Sequence, residues 1–340
     1  MIDNIFIHET QNTYPYYNLA MEEYFTLHVK SGECVLFLWQ NDPSVIIGRN
    51  QNIYVECDTN SLKKDGIYPV RRLSGGGAVY HDHGNLNFTF CVRRRDFDPF
   101  LQSKVILNAV KRLGIGAELS GRNDLTVMGR KFSGHAFYKT GDHCYHHGTI
   151  LINADMSKMM RYLTPDREKL AAKGVSSVKS RVINLADIST GIDKDTLCKS
   201  LKDSFSEIYG MEAAAISGES IDKDCLKASE KKFLSPDFIF GADVSFDHKI
   251  KKKFEWGIIE ILLSIKDGTI SNAKVLSDCM DTQFPNLLGN ALKGCSYDEK
   301  AILSAVSGLN EKITDEDRFF GANMKKAVND IYELFKNLSY

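Results

Sequence analysis

Residues 71–82 read Arg-Arg-Leu-Ser-Gly-Gly-Gly-Ala-Val-Tyr-His-Asp, three consecutive glycines set between strand-like segments at 67–73 and 78–81. The segments have strand length. The glycines remove every Cβ between them, so the backbone can approach a ligand and turn its N–H groups toward an anion. Arg71 and Arg72 add fixed positive charge and forked donors suited to phosphate or carboxylate. The run does not end in Gly-Lys-Ser/Thr and is not G-x-G-x-x-G, which separates it from Walker A and dinucleotide loops. A flexible hairpin turn with surface arginines fits the same residues, so the glycines alone leave both readings open.

The surrounding pattern mixes strands and helices. Residues 18–29 place Ala20, Tyr24 and Leu27 at helical spacing and predict a helix with that face inward. Residues 35–39 and 44–47 are short apolar runs separated by Asn-Asp-Pro, which is turn chemistry, and 86–92 is a further strand. Asp98 caps a helix that starts at Pro99, continues through Ile106, Ala109, Val110 and Leu113, and ends at Gly114. Residues 132–138 and 144–152, joined by Lys-Thr-Gly-Asp, predict a hairpin. Near residue 250 the pattern restarts: Lys249, Lys251, Lys252 and Lys253 precede a strand run at 254–265, an Asp267-Gly268 turn, another strand and then helical patterns. This places a boundary between two domains, 1–245 and 250–340.

The chain has 340 residues, with 43 Lys+Arg against 44 Asp+Glu and a formal net charge of −1. That balance argues against a nucleic-acid or membrane-surface partner, and reads the lysine run as a solvated linker face. The beginning of the sequence lacks a basic segment followed by an apolar core, and the longest apolar stretch, 258–265, is too short to span a bilayer. Eight cysteines stand singly without a C-x-x-C pair, which fits reduced cytoplasmic thiols.

A second motif, Gly121-Arg122-Asn123-Asp124, is followed by Gly129-Arg130-Lys131-Phe132-Ser133-Gly134. Lys131 could set a point charge against an anionic ligand and stabilise negative charge during phosphoryl or acyl transfer, or be a surface lysine. Asp124 could bind a Mg²⁺ that accompanies ATP, or cap its own turn. His81, His83, His135, His143, His146 and His147 invite a metal reading. However, His146 and His147 point to opposite faces of a strand, and His81 with His83 lacks a third ligand at a diagnostic spacing. Cys144 is the cysteine nearest these motifs, with no activating base evident in the sequence.

In order, residues 71–82 with Gly84-Asn85, Gly121 to Asp124, Gly129 to Gly134, His146-His147-Gly148-Thr149, and Lys169-Leu170-Ala171-Ala172-Lys173-Gly174 through Arg181-Val182-Ile183-Asn184-Leu185 resemble the lipoate–protein ligase A family. Phe254-Glu255-Trp256-Gly257 and Gly294-Cys295 are similar to that family's accessory domain. The resemblance implies an α+β catalytic domain of the biotin/lipoate ligase type on a mixed, largely antiparallel sheet, with a small α/β accessory domain. It implies two reactions: lipoate and ATP, with Mg²⁺, give lipoyl-adenylate and pyrophosphate, and the lipoyl group then passes to a lysine. The implied acceptors are lipoyl domains of 2-oxoacid dehydrogenase complexes and glycine-cleavage H protein.

By the same resemblance, Arg72, Gly77, Ala78, Val79, Tyr80, Asn123 and Asp124 fall at the nucleotide, and Gly75, Gly76 and His81 at the lipoyl group. Lys131 touches both and is the catalytic residue, and residues 178–185 form a loop that closes over the adenylate. His83, His135 and Phe137-Tyr138 depart from the family's usual residues. The nearest alternative is an octanoyl or lipoyl transferase that takes its acyl group from a carrier without ATP. Such enzymes use a cysteine downstream of the lysine, and none occurs between Cys144 and Cys198. A non-catalytic lipoate-binding protein would be expected to have lost Lys131 or the arginines.

Overall fold

The computed structural model describes residues 2–121, 124–164, 181–241, 245–313 and 324–338. The chain divides into two compact units, one comprising 1–47, 53–71 and 78–240, the other 48–52, 72–77 and 241–340. The fold is α+β.

The strands of the first unit are β1 (Asn4–Glu9), β2 (Glu33–Trp39), β3 (Ser44–Ile47), β4 (Tyr68–Arg71), β5 (Val79–His81), β6 (Asn85–Arg93), β7 (Glu118–Ser120), β8 (Asp124–Val127), β9 (Arg130–Thr140), β10 (His143–Leu151) and β11 (Ala214–Ala215). Eight of them form one sheet in the order β11-β1-β2-β6-β10-β9-β8-β7. The β11–β1 and β1–β2 pairs are parallel and the others antiparallel. The remaining three form a small sheet in which β3 pairs β4 in parallel and β5 antiparallel.

Helix Pro99–Arg112 is capped by the Asp98 side chain and followed by Gly114 at φ +81°. It packs with Lys194–Tyr209, where the Ser200 and Ser204 hydroxyls donate to the carbonyls of Ala109 and Val105. The β9–β10 hairpin turns at Gly141-Asp142, as its sequence predicts.

Helix Pro15–His28 corrects the expected face. Ala20 is buried, but Leu27 is 44% exposed. The inward face instead runs through Asn18, Met21, Glu22 and Phe25, because polar groups on this face find partners inside.

The second unit carries β12 (His248–Phe254), β13 (Gly257–Lys266) and β14 (Thr269–Ser277) in one antiparallel sheet. Helices Phe284–Leu292, Glu299–Ser307 and Met324–Lys336 share its core, with Ile259, Ile261, Leu263, Phe284, Leu288, Ile302, Val328 and Phe335 buried. Two expectations are corrected here. The lysine run is strand β12, not a linker, and the strand expected at 254–265 breaks at Glu255-Trp256, where Gly257 at φ +154° reverses the chain. Alternation accounts for Lys249 and Lys251, which are exposed opposite Ile250 on the core side, whereas Lys252 shares the Ile250 side and is exposed as well. Among the described residues, no helix is long and apolar enough to cross a membrane.

Candidate functional site

The β8–β9 hairpin brings Lys131 and Asp124 together. Val127 pairs with Arg130, leaving Met128 (φ +51°) and Gly129 (φ +70°) as a two-residue turn of the type that needs positive φ at both positions. Further along, Leu125 pairs with Ser133 but Thr126 pairs with Lys131, so Phe132 is an extra residue in β9. This bulge shifts Lys131 onto the face of Gly134, which is paired directly with Asp124. Lys131 Nζ stands 2.7 Å from Asp124 Oδ1, with the two side chains 37% and 27% exposed.

Gly134 makes this possible, since a Cβ there would lie 2.5 Å from Lys131 Nζ. The backbone of Lys131 is held as well: its N–H donates to Arg181 O (2.8 Å) and its carbonyl accepts from Ile183 N (2.9 Å). Residues 181–185 of the expected closing loop therefore run beside Lys131. Residues 178–180 of that loop, the motif at 169–174, Arg122 and Asn123 lie outside the described residues.

The register places Trp39, Asn87, Thr149, Gly134 and Asp124 in one cross-strand row. On that face Trp39 Nε1 donates to Thr89 Oγ1 (3.1 Å), whose hydroxyl donates to Glu22 Oε1 (2.7 Å). His147 Nδ1 meets the same oxygen at 2.7 Å. The Asn87 Nδ2 is buried without a hydrogen-bond partner among the described residues, as is the hydroxyl of Tyr80. Such groups are commonly satisfied by a ligand or water.

The Tyr80 ring packs tilted against that of Tyr162, and burial raises its phenol pKa. His81 is buried, its Nδ1 3.2 Å from Asn41 Nδ2 and its ring 6.3 Å from that of Trp39. His83 pairs instead with Asp42 at 2.9 Å. Val79 opens β5 and Ala78 precedes it.

The opposite face carries a buried polar chain. The Nδ1–H of His146 donates to Gln102 Oε1 (3.0 Å), His146 Nε2 accepts from His135 Nδ1 (2.9 Å), and His135 Nε2 accepts from Ser133 Oγ (3.0 Å). Burial above all, then the Lys131 and His147 charges, pushes the His135 pKa down to about 3. Burial likewise holds His146 well below the usual value, so both rings are neutral. Neither network was legible from spacing, although Glu22 within the apolar run Leu19-Ala20-Met21 and the His146-His147 pair were available signals. Among the described residues, no cluster of three His, Cys, Asp or Glu could hold a metal ion.

Cys144 is fully buried and lies on the same face as His146, away from the Asp124 row. Burial pushes the thiols of Cys34, Cys57, Cys198 and Cys279 up to about 12, which keeps them protonated.

The glycine loop belongs to the second unit. Arg72 turns its fork onto the loop itself, donating to Ser74 Oγ (2.9 Å), Gly75 O (2.6 Å) and Gly77 O (2.8 Å). Gly76 has φ +86°, and a Cβ on Gly75 would meet the carbonyl oxygens of Cys279 and Met280 at 2.3 and 2.6 Å. A Cβ on Gly77 would meet nothing within 4 Å, so packing does not require that glycine. In the first unit, Arg71 donates to the carbonyls of Phe238 and Ile239, both at 2.7 Å.

Residues 14–206 match the lipoyl protein ligase A/B catalytic domain, and residues 243–335 match the bacterial lipoate protein ligase C-terminus. The structure is similar to LipL1 of P. falciparum in complex with lipoate: 30% identity, 97% of this chain and 98% of that chain covered, TM-score 0.81. It is also similar to a bipartite lipoate protein ligase of Thermoplasma acidophilum, studied with its E2 lipoyl domain (26% identity, 72% and 98% covered, TM-score 0.61). A third likeness is to a lipoate-protein ligase A bound with ATP (26% identity, 71% and 99% covered, TM-score 0.59). The chain belongs to the lipoyl protein ligase A/B family.

Proposed function

We propose that this protein is an ATP-dependent lipoate–protein ligase that works in two steps. The lipoate carboxylate attacks the α-phosphorus of ATP, forming lipoyl-adenylate and expelling pyrophosphate. A lysine amine of an acceptor domain then attacks the adenylate carbonyl, forming an amide and expelling AMP. No protein nucleophile takes part, in keeping with the burial of Cys144 on the opposite face of the sheet. A carrier-dependent transferase, which needs such a nucleophile, is correspondingly disfavoured.

The observation that carries the reading is Lys131, fixed at both backbone groups and ion-paired through Nζ. Two anions must meet in the first step, and a positioned ammonium offsets their repulsion and the charge that develops. We assign Arg72, Gly77, Ala78, Val79, Tyr80, Asn123 and Asp124 to the nucleotide, Gly75, Gly76 and His81 to the lipoyl group, and Lys131 to both. The orphaned Tyr80 hydroxyl and the open space at Gly77 support part of that assignment.

Asp124 suits a Mg²⁺ carried by ATP, because such sites combine one or two carboxylates with phosphate oxygens and water. Mg²⁺ would supply further charge neutralisation at the phosphates. We assign 1–245 as the catalytic domain and 250–340 as the accessory domain, supported by the extents of the two family matches; the compact units divide the chain near the same place but group 48–52 and 72–77 with the second. The acceptors are lipoyl domains of 2-oxoacid dehydrogenase complexes and glycine-cleavage H protein. The compartment is the cytoplasm, supported by eight cysteines none of which forms a disulfide among the described residues.

The test is ATP–pyrophosphate exchange with Mg²⁺ and no acceptor. Exchange that depends on lipoate is expected, and folded protein that shows none refutes the ligase reading.

A further inference from the structure

The β8–β9 turn carries a large apolar side chain out into solvent. Met128 is 81% exposed and sits at φ +51°. Two-residue turns of this kind favour Asn-Gly, because Asn tolerates the left-handed region and is at ease in water. Methionine is unfavourable on both counts, and strain that local structure does not need points toward function. Met128 is followed by Gly129 and Arg130 and stands three residues before Lys131, within ~10 Å along the chain.

The place matters as much as the residue. In the second step an amine on a folded domain must reach a carbonyl held beside Lys131. The surface around that amine must therefore cover the rim of the hairpin next to Lys131. Methionine, flexible and polarisable, adapts to such a partner surface.

Resting on the ligase reading above, we propose that Met128 is a docking contact for the acceptor domain. It meets an apolar spot on that domain. The contact serves acyl transfer and has no part in adenylation.

The experiment compares the wild-type chain with Met128→Asn and Met128→Glu. With saturating ATP and lipoate, the KM for an apo-lipoyl domain is measured, alongside lipoyl transfer to hydroxylamine and lipoate-dependent ATP–pyrophosphate exchange. The Asn variant should raise the KM roughly fivefold, the factor for losing about 1 kcal/mol of interface contact. The Glu variant should raise it further by setting a charge against that apolar spot. Exchange and transfer to hydroxylamine should stay at wild-type rates, and the Asn variant should melt at the same temperature or higher.

An unchanged KM in both variants overturns the proposal. An equal loss with hydroxylamine also overturns it, because the residue would then act in the chemistry. If the wild type shows no exchange, the ligase reading falls and this proposal falls with it.

Discussion

Gly134→Ala tests how tightly the fold fixes the catalytic ammonium. An added Cβ would lie 2.5 Å from Lys131 Nζ and 2.6 Å from Cε, where nonbonded carbon contacts settle near ~3.5–4.0 Å. The Lys131 backbone is tied to Arg181 and Ile183, so relief falls on the end of the side chain, which must move outward by about 1 Å or more. The cost to stability is small. The ion pair is 37% and 27% exposed and contributes about 0–1 kcal/mol after solvent screening. Alanine offsets that with a gain of roughly 0.5–1 kcal/mol over glycine in a strand.

The cost to catalysis is large, because a 1 Å misplacement of a catalytic group is worth about 10²-fold. Lipoate-dependent pyrophosphate exchange should therefore fall roughly 100-fold with the melting temperature nearly unchanged. Lys131→Ala, which should abolish exchange, sets the floor. The double variant should be no worse than Lys131→Ala alone, since both changes remove one interaction. Exchange by Gly134→Ala within threefold of wild type would refute the argument that Gly134 seats the ammonium.

Acid should destabilise the protein through its buried histidines. The His135 pKa is lowered from 6.5 to about 3, so the stability it confers is complete above pH 6.5 and lost as pH falls toward 3. At pH 5 the loss from this one ring is about 2 kcal/mol. Urea unfolding of His135→Gln at pH 7 and pH 5 should show a pH dependence weaker by about that amount, and an identical dependence would count against the neutral buried ring. Cys144→Ala should retain adenylation and acyl transfer within about threefold while losing roughly 1–2 kcal/mol of stability to the cavity. Abolished transfer in a folded Cys144→Ala protein would revive the thiol-dependent alternative.

Local rules read much of this fold from sequence. Asp98, Pro99 and Gly114 marked both ends of a helix because capping and backbone freedom act within one turn. Gly141-Asp142 marked a hairpin for the same reason. Lys131 and Asp124 were legible as candidates, but their meeting was not, since it depends on the extra residue Phe132 in the pairing. Glu22 was missed because its partners Thr89 and His147 come from strands 67 and 125 residues away. Leu27 faces solvent against its apolar spacing because buried polar partners set the inward face of the helix. The glycine run was legible as a loop, whereas its internal use of Arg72 was not, because two donors on one guanidinium can serve a ligand or a carbonyl equally well.

The lysines of β12 acquire a different meaning once they are seen on a strand. In its sheet β12 pairs with β13 alone among the described residues, so it is an outer strand. Such a strand is a template on which another chain can add itself, and lysines along it are one of the ways natural sheets discourage that. A second copy arriving with the same edge would bring its own Lys249, Lys251 and Lys253 against these. Glu260 of β13 pairs with Lys249 and offsets part of this charge, and the positive excess that remains along the face opposes edge-to-edge growth. A charge run that resembles an invitation to a polyanion is, on this strand, a safeguard against self-association.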